Sequence, residues 1–165
     1  MSTTKERTRT ITWEEPRSPA LDGQRLSGLE YLRKIVSGEL PRPPISVLMN
    51  FSLTDLSEGH AVFVAEPDEY HYNPLGTVHG GLAATLLDSA MGCAVHSTLP
   101  AGAGYTTLEI KVNYIRAMSS ETGLVRCEAN AIHVGGRTAT AEGKIIDAQG
   151  KLYAHGTTTC IIFRQ

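Results

Sequence analysis

Between Phe51 and Ala65 the chain runs in two alternating stretches, 51–57 and 60–65, parted by Glu58-Gly59, and this predicts two strands joined as a hairpin. The period then changes. From Gly81 to Ser97, positions placed at 100° intervals gather Leu82, Ala83, Ala84, Leu86, Leu87, Ala90, Met91, Ala94 and Val95 into an apolar arc of roughly 220°, about twice what a surface helix buries. Such a helix must be wrapped by other structure. After Pro100 come four segments rich in Thr, Val, Ile and Tyr, 105–116, 123–134, 137–147 and 151–163, which predict strands. Turns as short as Ala148-Gln149-Gly150 leave no room for parallel crossovers, so an antiparallel meander is expected. Hairpin, buried helix and meander together predict an α+β fold, a curved antiparallel sheet wrapped around one long helix.

Upstream of Phe51 the pattern is a short helix and then prolines. Ser27 and Glu30 form a capping box, Leu29, Leu32, Ile35 and Val36 recur at helical spacing, and Gly38 ends the run. Pro41, Pro43 and Pro44 follow, with Ile45 to Met49 available for one further turn. We therefore divide the chain into an extension, 1–44, carrying one short helix, and a domain, 45–165. The charge balance shifts at the same place: the first 42 residues hold eight basic and six acidic side chains, the remainder seven and eleven.

The whole chain of 165 residues suits a single core, and its net charge of −2 offers no cationic surface to hold a phosphate backbone, so no nucleic-acid partner is expected. No apolar run approaches the roughly 18 residues of a membrane span, and Met1 to Pro16 is polar where a signal peptide would be apolar. A cytoplasmic protein without a membrane partner is the expectation. Cys93, Cys127 and Cys160 are too widely spaced for a metal pair or a disulfide framework and read as small core residues of a reducing compartment. With no H-E-x-x-H run either, neither a metal nor another cofactor is expected, and His60, His71, His96, His133 and His155 are assigned to strand faces or the surface.

Candidate chemistry concentrates in Asn73-Pro74-Leu75-Gly76-Thr77-Val78-His79-Gly80-Gly81, at the entrance of the long helix. Gly80 and Gly81 let the free N–H groups of a first helical turn approach a ligand closely, and the helix dipole favours an oxygen gaining negative charge there. That is oxyanion-hole chemistry. The same glycines also suit a tight strand-to-helix turn in which His79 is a capping partner. Asp88 lies two turns into the helix, beside a narrow polar strip of Thr85, Ser89, Gly92 and His96, flanked by small Ala84 and Gly92. It is either a solvated surface acid or a base or nucleophile with room for a ligand beside it. Eight residues at 1.5 Å each separate Gly80 from Asp88 by about 12 Å, too far to act on one carbonyl carbon. If both are catalytic, a second chain supplies one of them, and a symmetric dimer does so twice.

The run NPLGTVHGGLAATLLDSAMG resembles the signature of hotdog-fold acyl-CoA thioesterases, in the branch that includes phenylacetyl-CoA thioesterase, over residues 45–163. The resemblance implies a long helix wrapped by antiparallel sheet, a homodimer pairing into a homotetramer, and active sites between subunits with acyl-CoA as substrate. By position it makes Asp88 the catalytic carboxylate, Gly80 the N–H that polarises the thioester carbonyl, and His79 and Asn73 residues of the same pocket. Gly81 adjoins that N–H, and Thr107 matches the hydroxyl that places the attacking water. The turn Gly135-Gly136-Arg137-Thr138 resembles the family's turn that meets the phosphates or adenosine of coenzyme A, although an ordinary hairpin turn with a solvated Arg has the same appearance. Arg116 or Lys144 of a neighbouring subunit could join Arg137 there. The leader is longer than in minimal members, and either caps the acyl pocket or extends a subunit interface.

Two other readings compete. A sensing module would bind acyl-CoA without turnover, but it needs a partner-binding element, and the leader has one short helix rather than the two of a helix-turn-helix. An enoyl-thioester hydratase of this fold carries a D-x-N-P-x-H pattern. Here Asn73-Pro74 is present, but His71 stands where the Asp belongs and Gly76 where the His belongs.

Overall fold

The width of the apolar arc on the long helix is matched by its burial. In the computed structural model, which describes residues 5–164 and so leaves Met1 to Thr4 of the leader and Gln165 aside, this helix spans Gly80–His96 and the side chains of Leu86, Leu87, Met91 and Val95 are fully enclosed. The elements are α1 Arg17–Gly23, α2 Gly28–Ser37, α3 Pro44–Leu48, β1 Phe51–Ser57, β2 His60–Ala65, a 3-10 turn Glu69–His71, α4 Gly80–His96, β3 Ala103–Tyr114, β4 Val125–Val134, β5 Thr138–Asp147 and β6 Leu152–Arg164. One six-stranded antiparallel sheet, ordered β1-β2-β4-β5-β6-β3, curls round α4 in the hotdog arrangement. Register shifts at Leu53/Asp55, Thr107/Glu109, Ala131/His133 and Ile145/Ile146 bend the strands as the wrapping requires.

The meander holds only from β4 to β6, and this corrects the expected order. β3 does not pair with its sequence neighbour β4; it crosses to the far edge and pairs with β6 from Ala103↔Arg164 to Tyr114↔Ala154. The reason lies in the edges available. Short turns tie β4 to β5 and β5 to β6, and the free edge of β4 is taken by β2, with Ala61 opposite Ala129. Only β6 is left for β3, and the long stretch between Tyr114 and Val125 lets the chain return to β4.

In the leader, α2 begins at the expected capping box, with Ser27 N–H donating to the Glu30 carboxylate at 3.0 Å and Glu30 N–H to Ser27 Oγ at 3.3 Å, and it stops at Gly38 with φ +79°. Ile45 to Met49 gives the further turn, α3. The helix α1 was not expected: its first free N–H groups, of Arg17 and Ser18, donate to the Glu15 carboxylate at 2.7 and 3.0 Å. α2 packs on β1 and α4. Gly28 makes that contact possible, because a Cβ there would sit 1.8 Å from the His96 carbonyl oxygen, while its N–H donates to Leu99 O at 2.9 Å. Nearer the start, Arg9 donates to the carbonyls of Val47 and Leu48, at 3.0 and 2.8 Å, and lies 4.1 Å from the Tyr70 ring centroid.

Two histidines depart from their assignment. His71 is buried in the turn between β2 and α4: Nδ1 accepts from Asp68 N–H at 3.0 Å and Nε2 donates to Met49 O at 3.1 Å, a satisfied neutral ring. His96, at the end of α4, lies between the rings of Tyr31 and Tyr105, with centroids 5.9 and 5.5 Å away. Burial holds both below the ordinary imidazole value. Both stay neutral in the fold and gain protons more readily once unfolded, so stability is full above about pH 6.5 and falls as pH drops towards their lowered values. The melting temperature is therefore expected to fall between pH 7.5 and 5.5, above the range where carboxylates titrate, and the fall to shrink in His96→Phe. A flat profile would refute this.

Candidate active site

Asp88 sits midway along α4, exposed in the single chain, and Oδ1 accepts a hydrogen bond from Thr107 Oγ1 on β3 at 2.8 Å. No other hydrogen bond or ion pair to this carboxylate occurs among the described residues. The β3 irregularity at Thr107/Glu109 falls immediately beside Thr107. Asp88 and Ser89 form part of the wall of a cavity of about 420 Å³, whose other walls come from α2, the Arg42-Pro43 link, α3, β1, β2 and Tyr105. Small Gly92 is what admits the tyrosine: a Cβ at that position would lie 2.4 Å from Tyr105 Oη.

Cys93 lines the same cavity. Burial first, and then the neighbouring Asp88 charge, push its thiol up to about 12, so it stays protonated and is no nucleophile. Cys127 and Cys160 are buried as expected, and all three cysteines are free thiols. Of the groups at this wall, the carboxylate is the one with the chemistry of a base towards water or a nucleophile towards a carbonyl carbon.

The helix entrance is a separate place. His79 is the N-cap of α4, and its Nδ1 accepts the Gly81 N–H at 2.8 Å. Gly81 N–H is thereby occupied, whereas Gly80 N–H has no acceptor among the described residues. Gly80 lines a second cavity, of about 300 Å³, together with Tyr114, whose hydroxyl donates to Gly80 O at 3.2 Å. Asn73 builds the loop that leads there: Oδ1 accepts from the N–H groups of Leu75 and Thr77 at 2.9 and 3.3 Å, and Nδ2 donates to Thr77 Oγ1 at 3.2 Å. Its side chain is thus engaged within the loop 73–77, where Gly76 takes φ +76°.

Within one chain the two candidate groups therefore stand apart. Asp88 pairs with Thr107, Gly80 with Tyr114, and along β3 these two partners are separated by seven residues, about 23 Å at 3.3 Å per residue. The turn Gly136-Arg137-Thr138 lies towards the Asp88 and Thr107 end. Across the sheet Thr107 pairs with Cys160 and Cys160 with Ala139, so the turn reaches the same end as Thr107, two strands away and exposed to solvent. Arg137 makes no ion pair among the described residues. The sequence reading named these residues but missed Tyr114 and Tyr105: regular alternation sets residues nine apart on opposite faces of β3, and it is the bulge at Thr107/Glu109 that brings both rings to the helix side.

A family model described as the thioesterase superfamily matches residues 75–154, from the Asn73 loop through α4 to β6. The chain is 31% identical over 104 residues to 1,4-dihydroxy-2-naphthoyl-CoA hydrolase of Listeria monocytogenes, covering 63% of this chain and 83% of that one. It is 29% identical over 114 residues to human acyl-coenzyme A thioesterase 13, covering 68% and 80%. Among solved structures, a phenylacetic acid degradation-related protein from Ralstonia eutropha superposes with a TM-score of 0.72 at 26% identity, covering 79% of this chain and 98% of that one. With its helix wrapped by sheet, its glycine-rich helix entrance and these relatives, the chain belongs to the hotdog-fold thioesterase superfamily, a family of thioester hydrolases.

Proposed function

We propose that the protein hydrolyses acyl-CoA thioesters to a carboxylic acid and free coenzyme A, at sites shared between two protomers. The observation that carries this reading is the separation of the half-sites: an Asp88 carboxylate oriented by Thr107, and a Gly80 N–H without an acceptor about 12 Å along the same helix. A two-fold axis joins them. β3 is an edge strand, and antiparallel pairing of two β3 strands about a centre between Ile110 and Lys111 sets Thr107 of one protomer opposite Tyr114 of its partner. Leu108, 58% exposed on that edge, is then covered. Two such dimers pair into a tetramer.

In this site the Gly80 N–H, at the positive end of α4, donates to the thioester oxygen as it gains charge. Asp88 takes a proton from the attacking water, with Thr107 holding the carboxylate in place; the water oxygen bonds to the carbonyl carbon, the C–S bond breaks, and the proton passes to the departing thiolate. A direct attack by Asp88 would reach the same products through an anhydride that water then opens. The Arg137 turn meets coenzyme A phosphate, and the relatives' names, a naphthoyl-CoA hydrolase and an acyl-CoA thioesterase, support a CoA thioester as substrate.

Thiol release from a panel of acyl-CoAs, from acetyl to palmitoyl with benzoyl and phenylacetyl, tests the reading. Catalytic release of one thiol per acid formed is expected for part of the panel. Binding without release would make the protein an acyl-CoA sensor, and neither binding nor release would end the proposal.

A further inference from the structure

We infer that the cavity between α2 and α4 receives the acyl group, so that the leader helix α2 sets which acyl groups the enzyme accepts. This rests on the reading of Asp88 as the catalytic carboxylate. The acyl chain is bonded directly to the carbon that Asp88 or its water must reach, so it lies in whatever space adjoins that carboxylate. The adjoining space is the cavity of about 420 Å³, with Leu32 and Ile35 from α2, Leu53 from β1, Phe63 from β2 and Tyr105 from β3 facing Asp88. Coenzyme A phosphates would meet one cation there, Arg42, already donating to the carbonyls of Phe51 and Ser46, whereas a hydrocarbon gains by lying against the aliphatic and aromatic part of the lining. The size is at the lower end of small-molecule sites, which fits an acyl group with one aromatic ring or a medium-length alkyl body.

The wall contributed by α2 is built into the fold. Gly28 fixes the start of the helix against His96, the capping box closes its first turn, and beyond its end Arg42 donates to the carbonyls of Phe51 and Ser46, at 2.5 and 3.3 Å, tying the following segment to β1. Ile35 is half-buried and close to the end of α2, so its side chain can be enlarged or cut back without reaching the main core.

The test replaces Ile35 by Trp, to fill the cavity, and by Ala, to enlarge it, and compares kcat/KM for octanoyl-CoA with that for acetyl-CoA. Ile35→Trp should lower the octanoyl-to-acetyl ratio by about tenfold or more, and Ile35→Ala should move the ratio in favour of bulkier acyl groups. Opposite shifts from the two variants exclude general loss of structure. The binding of two thioethers that cannot be hydrolysed, S-octyl-CoA and S-ethyl-CoA, is measured in parallel and should show the same reversal. Should Ile35→Trp fail to fold, Ile35→Ala alone decides, against the wild-type ratio. Unchanged ratios in folded variants, for both turnover and binding, overturn the inference while leaving the chemistry at Asp88 standing. Shifted thioether ratios without thiol release from any acyl-CoA keep the inference about the cavity and defeat the thioesterase reading.

Discussion

Asp88→Asn is expected to lower kcat for thiol release by about 10²- to 10⁴-fold while the melting temperature and the affinity for S-ethyl-CoA stay close to wild type. The carboxylate is exposed and takes part in one hydrogen bond, from Thr107 Oγ1. An amide oxygen at the same place still accepts that bond, so the packing of α4 against β3 is undisturbed. What disappears is a group that can hold a proton or attack a carbonyl. Cys93 cannot substitute for it, since its thiol is pushed up to about 12 by burial and the neighbouring Asp88 charge. Turnover near the wild-type rate in the folded variant would remove Asp88 from the mechanism.

Mixing two inactive variants should restore activity. Gly80→Pro deletes the N–H proposed to meet the oxyanion, and it does so at the first position of α4, where proline fits a helix. The residue before it, His79, already has the extended backbone that precedes proline, with φ −61° and ψ 135°. A Cβ at Gly80 lies 3.1 Å from the Tyr114 ring, which is 58% exposed and free to move by the few tenths of an ångström required. Combined by subunit exchange with Asp88→Asn, random reassortment makes about half the dimers mixed, each with one intact site of two, so activity should approach about a quarter of wild type. Each parent alone should be nearly inactive. A mixture as inactive as its parents, after exchange has been verified, would show that the two half-sites do not combine across an interface.

The helix at the heart of the fold was legible because its signal is local. A wide apolar arc can be satisfied only by enclosure, and α4 is enclosed within one residue of the expected start. The capping box of α2 and the hairpin β1–β2 were legible for the same reason: the residues that make the bond are three positions apart, or flank a two-residue turn. The short helix α1 escaped notice because its first N–H groups are satisfied by Glu15, outside the helix, rather than by a Ser, Asp or Asn at its cap.

Within the candidate site the sequence carried residue types and spacing along one helix. Those suffice to name Asp88 and Gly80 and to separate them by about 12 Å, because helical rise is a constant of the backbone. Which side chain stands across from each was decided by tertiary structure alone. The crossing of β3 to the β6 edge puts Thr107 beside Asp88 and Tyr114 beside Gly80, and it depends on which strand edges the rest of the sheet leaves open. The same holds for His71 and His96, whose neutral state follows from burial by segments distant in sequence. The wall that α2 gives to the Asp88 cavity likewise required the docking of Gly28 on His96. Periodicity reports which face of an element is buried; what buries it is a long-range choice made by strand pairing and packing.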